Sequence, residues 1–134
     1  MTAQITVVCP LPPRQLSPNS RCHWRTRHKH SKKYREACRV ACFTELVSRR
    51  RGDVDWSNAR LQATFYYKDK RRRDRDNMAA MLKYAYDGIA AALGVDDYGF
   101  RPQMPEVTVD KDDPRVEIVV VGGPPGDPSP ESHP

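Results

Sequence analysis

The chain has no internal repeat, no C-x-x-C and no apolar run approaching membrane-spanning length, and each absence removes a class of protein. Repeat arrays are excluded, and no membrane-spanning helix is expected. The opening Met1-Thr2-Ala3-Gln4 lacks the charged-then-apolar pattern of a secretory leader, so the expected compartment is the cytoplasm. Four cysteines, Cys9, Cys22, Cys38 and Cys42, fit neither a disulfide framework nor a zinc motif. Cys38 and Cys42 stand four apart in a predicted helix and read as small buried thiols. Acidic residues are scarce at first: residues 1–73 hold 5 of the 17 Asp and Glu.

What is abundant there is positive charge. The same stretch holds 18 of the 23 Lys and Arg, a net of +13, whereas residues 74–134 carry a net of −7. The sign changes at Asp74. An overall charge of +6 and a pI near 9.3 point to a polyanionic partner. Such polarity suits a protein that grips phosphates with one surface and holds metal with another. At 134 residues the chain is long enough for one domain with a proper core and too short for two.

Ile5-Thr6-Val7-Val8-Cys9 reads as a first strand ended by Pro10. Leu11 to Ser20 contains three prolines and is expected to be an ordered loop or extended arm. From Arg21 to Lys33 the basic residues Arg21, Arg25, Arg27, Lys29, Lys32 and Lys33 interleave with His23, Trp24, His28 and His30. That pattern reads as a nucleic-acid contact with Trp24 available for stacking; the plainer alternative is a charged loop with Trp24 in the core. Cys22 with the three histidines makes a loose cluster, read as DNA-facing rather than zinc-binding.

Ser31 is a good N-cap, and no Gly or Pro interrupts Lys32 to Arg51, so a helix is predicted there. Tyr34, Ala37, Cys38, Ala41 and Cys42 form its apolar face, and Val40, Phe43 and Val47 extend that face toward burial. Ala59 to Tyr67 alternates as a second strand. A second helix, capped by Asp76 or Asn77, is predicted from Met78 to Leu93 and ends at Gly94. Glu106–Asp110 and Arg115–Val121 read as a hairpin, and residues 122–134 as a disordered tail.

The chemistry concentrates where the second strand meets the second helix, in Arg71-Arg72-Arg73-Asp74-Arg75-Asp76-Asn77. Acids inside a basic run weaken phosphate binding unless the arginines quench them or they hold a cation. On an extended backbone, Asp74 and Asp76 point to one side, where two carboxylates can bind Mg2+. Such an ion activates water and neutralises charge on a scissile phosphodiester. A third ligand must come from elsewhere, and Asp96 or Asp97 beyond the helix is the natural candidate. Lys83 shares a helical stripe with Asp76, Ala80 and Asp87, so it is expected to face the metal and steady the phosphate. Its plainer role is an exposed pair with Asp87, four residues on.

Several motifs together resemble the RusA-type Holliday junction resolvases. They are Pro12-Pro13, Ser17-Pro18-Asn19-Ser20 with His23-Trp24, Ser31-Lys32-Lys33-Tyr34-Arg35, the Arg71–Asn77 core, Lys83, Asp87-Gly88 and Asp96-Asp97. The likeness runs over about residues 5 to 121, which reads as one endonuclease domain spanning 1–121. It implies an α+β fold, a small mixed sheet with two helices packed against it, in a homodimer. It also implies that Asp74, Asp76 and Asp97 bind Mg2+, or Mn2+ in its place, with Asp97 preferred to Asp96. Arg73 and Lys83 would assist at the phosphate; by its own charge the run Arg71, Arg72 and Arg73 reads as a DNA-phosphate contact. The implied reaction is paired, symmetric cutting of opposite strands at a four-way junction in a bacterial or phage-infected cell. Two positions depart from the family pattern: Ala80 replaces its usual lysine, and Tyr98-Gly99-Phe100 follows the second acidic pair. The contrasting expectation is a non-catalytic DNA-binding or regulatory protein whose aspartates merely pair with arginines.

Overall fold

In the computed structural model, which describes residues 3–49 and 54–123, alternation of β-branched and polar residues builds the central sheet. Strand β1 (Ala3–Cys9) pairs antiparallel with β5 (Arg115–Gly123), which pairs antiparallel with β2 (Asp55–Tyr67) on its other side. The register aligns three buried rungs: Ile5, Val120 and Leu61; Val7, Ile118 and Ala63; Cys9, Val116 and Phe65. The far edge of β2 carries two short parallel partners, β3 (Arg101–Pro102) and β4 (Glu106–Val109). The sheet is therefore mixed.

Parallel strands cannot be joined by a tight turn, so each parallel pair is linked by a helical crossover. Helix α1 (Trp24–Arg49) connects β1 to β2, and α2 (Arg75–Leu93) connects β2 to β3 and β4. The helices pack on each other, and α1 also covers β1. Tyr34, Cys38 and Cys42 of α1 and Met78, Leu82, Ala85 and Ile89 of α2 complete one core with the strand rungs. The result is a single α+β domain, as expected. Among the described residues, no helix is long and apolar enough to cross a membrane.

Four expectations need correction. Helix α1 begins eight residues before Lys32, because His23 caps it: its Nδ1 accepts the Arg25 amide at 3.1 Å and its carbonyl accepts the Arg27 amide. Ser31 lies inside the helix and donates its hydroxyl to the His28 carbonyl. Val40, Phe43 and Val47 are exposed rather than buried, since the core reaches only the Tyr34–Cys38–Cys42 side of α1. β4 and β5 do not pair as a hairpin, because β2 lies between them. Arg115 fixes that arrangement by stacking 3.9 Å from the Tyr66 ring while bonding Asp110 at 2.8 Å and Glu117 at 2.7 Å. Finally, Gly122 and Gly123 continue β5 rather than starting a tail, and the remainder of the expected tail, 124–134, lies outside the described residues.

Candidate functional site

From Trp24 onward the basic segment expected to contact nucleic acid is the start of α1, which changes what each side chain can do. Arg21, Trp24, Arg25, Lys29, Lys32 and Lys33 are exposed. Trp24 is 67% exposed, so it is not a core residue; His23 stacks on it, and the Arg25 guanidinium lies 5.3 Å from its ring centroid. Arg27 is committed elsewhere, donating to the Ser17 carbonyl at 3.1 Å and the Ser20 carbonyl at 2.9 Å. It ties the proline-rich loop to the helix. Cys22 turns toward the Gln15 carbonyl at 3.6 Å, while Cys9, Cys38 and Cys42 are buried thiols.

The arginine run is organised by Asp69. Its carboxylate accepts the Arg71 amide at 3.0 Å and Arg73 Nη2 at 2.9 Å, and these contacts hold it below the usual carboxylate range. Arg73 also donates to the carbonyls of Asp69 and Arg71 and lies 3.7 Å from the Tyr67 ring centroid. It buttresses the turn, whereas Arg71 and Arg72 face solvent.

Asp74 is the N-cap of α2, its Oδ1 accepting the Asp76 amide at 2.8 Å. The helix thus begins at Arg75, three residues before Met78, and Asp76 belongs to its first turn. The extended backbone expected to align the two carboxylates is present at Asp74 but not beyond it. Both acids lie where the helix dipole favours negative charge, and both are exposed.

The other acidic pair is built differently. Gly94, at φ 71°, ends α2 in the left-handed conformation. Asp96 then caps a 3₁₀ turn, Asp97–Gly99, by accepting the Tyr98 amide at 2.9 Å. Asp97, and not Asp96, lines a groove of about 380 Å³ with Ala79, Leu82, Lys83, Tyr86 and Met104 among its other walls. Its carboxyl lies close enough to Asp87 to affect its titration. Burial pushes Asp87 up to about 6, the Asp97 carboxyl adds to that rise, and Lys83 and Arg35 pull the other way. Arg35 is near because α1 presses its backbone against Gly88, where a β-carbon would strike the Arg35 carbonyl.

In the sequence Asp87 stood out as the partner of Lys83 and, with Gly88, as one of the motifs of the resemblance, but not as a neighbour of Asp97. The signal that marks it is Gly88 beside it, which allows close helix packing and partial burial of a carboxylate. Groups strained by burial and like charge in this way cluster at functional sites.

The implied ion can be tested against these positions. Carboxylates are suitable donors for Mg2+ or Mn2+, but the three expected ligands do not gather within one chain. Asp76 and Asp87 are eleven residues apart on α2, about 16 Å along the axis, and Asp97 sits at the Asp87 level. Among the described residues, no three His, Cys, Asp or Glu side chains form a group able to hold a metal. The set Asp74, Asp76 and Asp97 therefore does not make a metal site within the one chain.

No family model matches the chain. It is similar to an uncharacterized protein of Xylella fastidiosa (strain Temecula1), at 37% identity over 103 residues. The alignment covers 71% of this chain and 61% of that protein, so the chain spans less than two thirds of its relative's length.

Proposed function

We propose that the protein is a structure-selective endodeoxyribonuclease that acts as a homodimer on branched DNA, cutting opposite strands of a four-way junction by paired phosphodiester hydrolysis. The observation that carries this reading is the groove that brings Asp97 and Lys83 together, with Asp87 close enough to be raised by the Asp97 carboxyl. A strained carboxylate pair next to a lysine is suited to a phosphate undergoing reaction. The exposed side chains of α1 and of the residues just before it support a nucleic-acid partner: Arg21, Arg25, Lys29, Lys32 and Lys33 supply charge, and Trp24 supplies a stacking surface. Arg71 and Arg72 extend that charge toward α2. Dependence on Mg2+ or Mn2+ belongs to this reading only with the ligands divided between chains, one contributing Asp74 and Asp76 and the other Asp97. Paired incision requires two copies in any case. The setting is the cytoplasm of a bacterial or phage-infected cell.

The test is incubation of the purified protein with a synthetic four-way junction beside linear duplex, with Mg2+ or Mn2+. Symmetric nicks on the junction alone are expected, and Asp74→Asn is expected to keep junction binding while losing cleavage. Undiminished cutting by that variant would sink the assignment. A second reading, a non-catalytic DNA-binding or regulatory protein, draws support from the capping role of Asp74, which gives that acid a purpose without any ion. It predicts no nicking with any divalent cation and binding that falls steeply with salt.

A further inference from the structure

We propose that the outer face of α1 between Val40 and Val47 is the surface on which a second copy of this chain docks, the two helices lying antiparallel across a two-fold axis near Phe43. This inference rests on the proposed homodimer, and it names the surface that forms it.

Arg25, Lys29, Lys32, Glu36, Val40, Phe43 and Val47 recur at helical spacings of three and four, so they share one stripe of α1, and all are exposed. The stripe points away from the sheet, because Tyr34, Cys38 and Cys42 take the opposite side of the helix into the core. Nor does α2 cover it, since Gly88 packs beside it, on the backbone of Arg35 and Arg39. Val40, Phe43 and Val47 are left 48%, 44% and 62% exposed. Their spacing, three and then four, is that of a helix-pairing seam.

Charge decides what covers the seam. From Trp24 to Arg39 the helix holds seven Lys and Arg against one Glu, whereas from Val40 to Val47 it holds no Lys or Arg and one acid, Glu45. A phosphate backbone gains nothing from that second stretch. Two copies of a chain carrying +6, by contrast, approach at least cost where the cations stop. The seam is also self-complementary, a phenylalanine with a valine on either side, as a two-fold contact demands.

The same charge pattern sets the direction. A two-fold axis running along the helices would place Arg25, Lys29 and Lys32 of both copies side by side. An axis across the helices turns the basic halves apart and brings Val40 of one copy toward Val47 of the other. Arg35, on which Gly88 packs, precedes Phe43 by eight residues, so the two copies of that contact fall about 24 Å apart along the helices. The basic halves and the Asp87 regions then flank the axis symmetrically, as two incisions require.

The experiment is sedimentation equilibrium of the full-length protein without DNA, with junction affinity measured in parallel. The wild type is expected to be a dimer. Phe43→Arg is expected to raise its dissociation constant about a hundredfold; the side chain is exposed, so the fold should persist, and the urea midpoint checks that it does. Val8→Arg, on the exposed face of the sheet, is expected to leave the dimer intact. Val40→Glu and Val47→Lys should each weaken it, and an equimolar mixture of the two should recover it, because antiparallel pairing sets glutamate against lysine. A dimer that survives Phe43→Arg, or that Val8→Arg separates, overturns the surface and leaves the homodimer standing. A mixture that stays dissociated overturns the antiparallel arrangement. Loss of junction affinity in a Phe43→Arg protein that remains dimeric overturns the inference in favour of DNA on this face. A wild type that is monomeric at every concentration overturns it together with the homodimer.

Discussion

The two ends of α2 each carry acidic residues, and they are held in opposite ways. At the N-terminal end Asp74 caps the helix and Asp76 sits in its first turn, both where backbone amides and the dipole welcome negative charge. Toward the other end, Asp87 is partly buried, and burial together with the nearby Asp97 carboxyl pushes it up to about 6. The conspicuous motif is thus electrostatically comfortable, and the inconspicuous pair is not. An acid that stabilises a helix can persist for that reason alone, whereas a carboxylate pair that repels itself calls for another explanation. The stronger functional mark lies at Asp87 and Asp97.

Because about 16 Å of helix separates Asp76 from Asp87, the contrast between the two acidic groups breaks most sharply in a mixing experiment. On the proposed nuclease reading, Asp74→Asn and Asp97→Asn are each expected to lower junction cleavage by on the order of a thousandfold, the upper range for loss of a charge-stabilising group. If the two ends cooperate across a dimer, mixed dimers of the two variants contain one site with every carboxylate intact. Denaturing and refolding the variants together would then restore nicking of one strand without paired cutting. If each site lay within one chain, every site in the mixture would remain defective and no activity would return.

The next effect concerns the packing that creates the strained end. Gly88→Ala places a methyl group against the Arg35 carbonyl and close to the Arg39 amide. Neither backbone group can swing aside as a side-chain tip could. Destabilisation of about 3 kcal/mol is expected, the upper range for overpacking, read as a lower urea midpoint at pH 7. A smaller loss would mean that α1 can move away, and Arg35 would then cease to influence Asp87.

These contrasts also explain what was legible beforehand. The rungs of β1 and β2 and the buried face of α2 follow from alternation and helical spacing, which are local properties. The beginning of α1 was hidden because its cap is a histidine ring nitrogen, and because dense basic charge resembles a loop although Lys and Arg are good helix formers. The partner of β4 was hidden because β2 offers two edges and the choice between them is made by contacts distant in sequence. Lys83, Asp97 and the exposed Trp24 were readable as residue types. The meeting of Asp97 with Asp87 was not, since it depends on the helix ending at Gly94 and the turn that Asp96 caps. Arg27 and Arg73 read as phosphate ligands by charge alone, yet their guanidinium groups are spent on nearby carbonyls and Asp69.

At the comfortable end the predicted stability effect is moderate. Asp74→Ala removes the side-chain acceptor for the Asp76 amide and is expected to cost about 1 kcal/mol. Asp74→Asn keeps an acceptor and is expected to unfold at nearly the wild-type urea concentration, which makes it the cleaner variant for the cleavage assay. Equal losses in the two variants would show that negative charge at the helix start matters more than the capping bond.

The smallest effect, and the one that addresses the strained end most directly, is the pH dependence of Asp87→Asn without divalent cations. In the folded chain Asp87 is raised to about 6 from an ordinary value of 3.8, by burial first and then by Asp97. The folded state therefore holds this proton more tightly than the unfolded state. The associated stability is fully present below pH 3.8 and is lost as pH rises through 6. Asparagine removes the titration, so the variant should gain on the wild type between pH 4 and 7. The gain should reach about 1 kcal/mol after discounting for solvent screening. Asp55, Asp69 and Asp110, whose carboxyls are held below their ordinary values by hydrogen bonds, titrate in the opposite sense. They are common to both proteins and cancel in the difference. Urea unfolding at pH 4, 5, 6 and 7 measures that difference directly. A constant offset across the range would mean that neither burial nor Asp97 raises Asp87, leaving the two ends of α2 electrostatically alike.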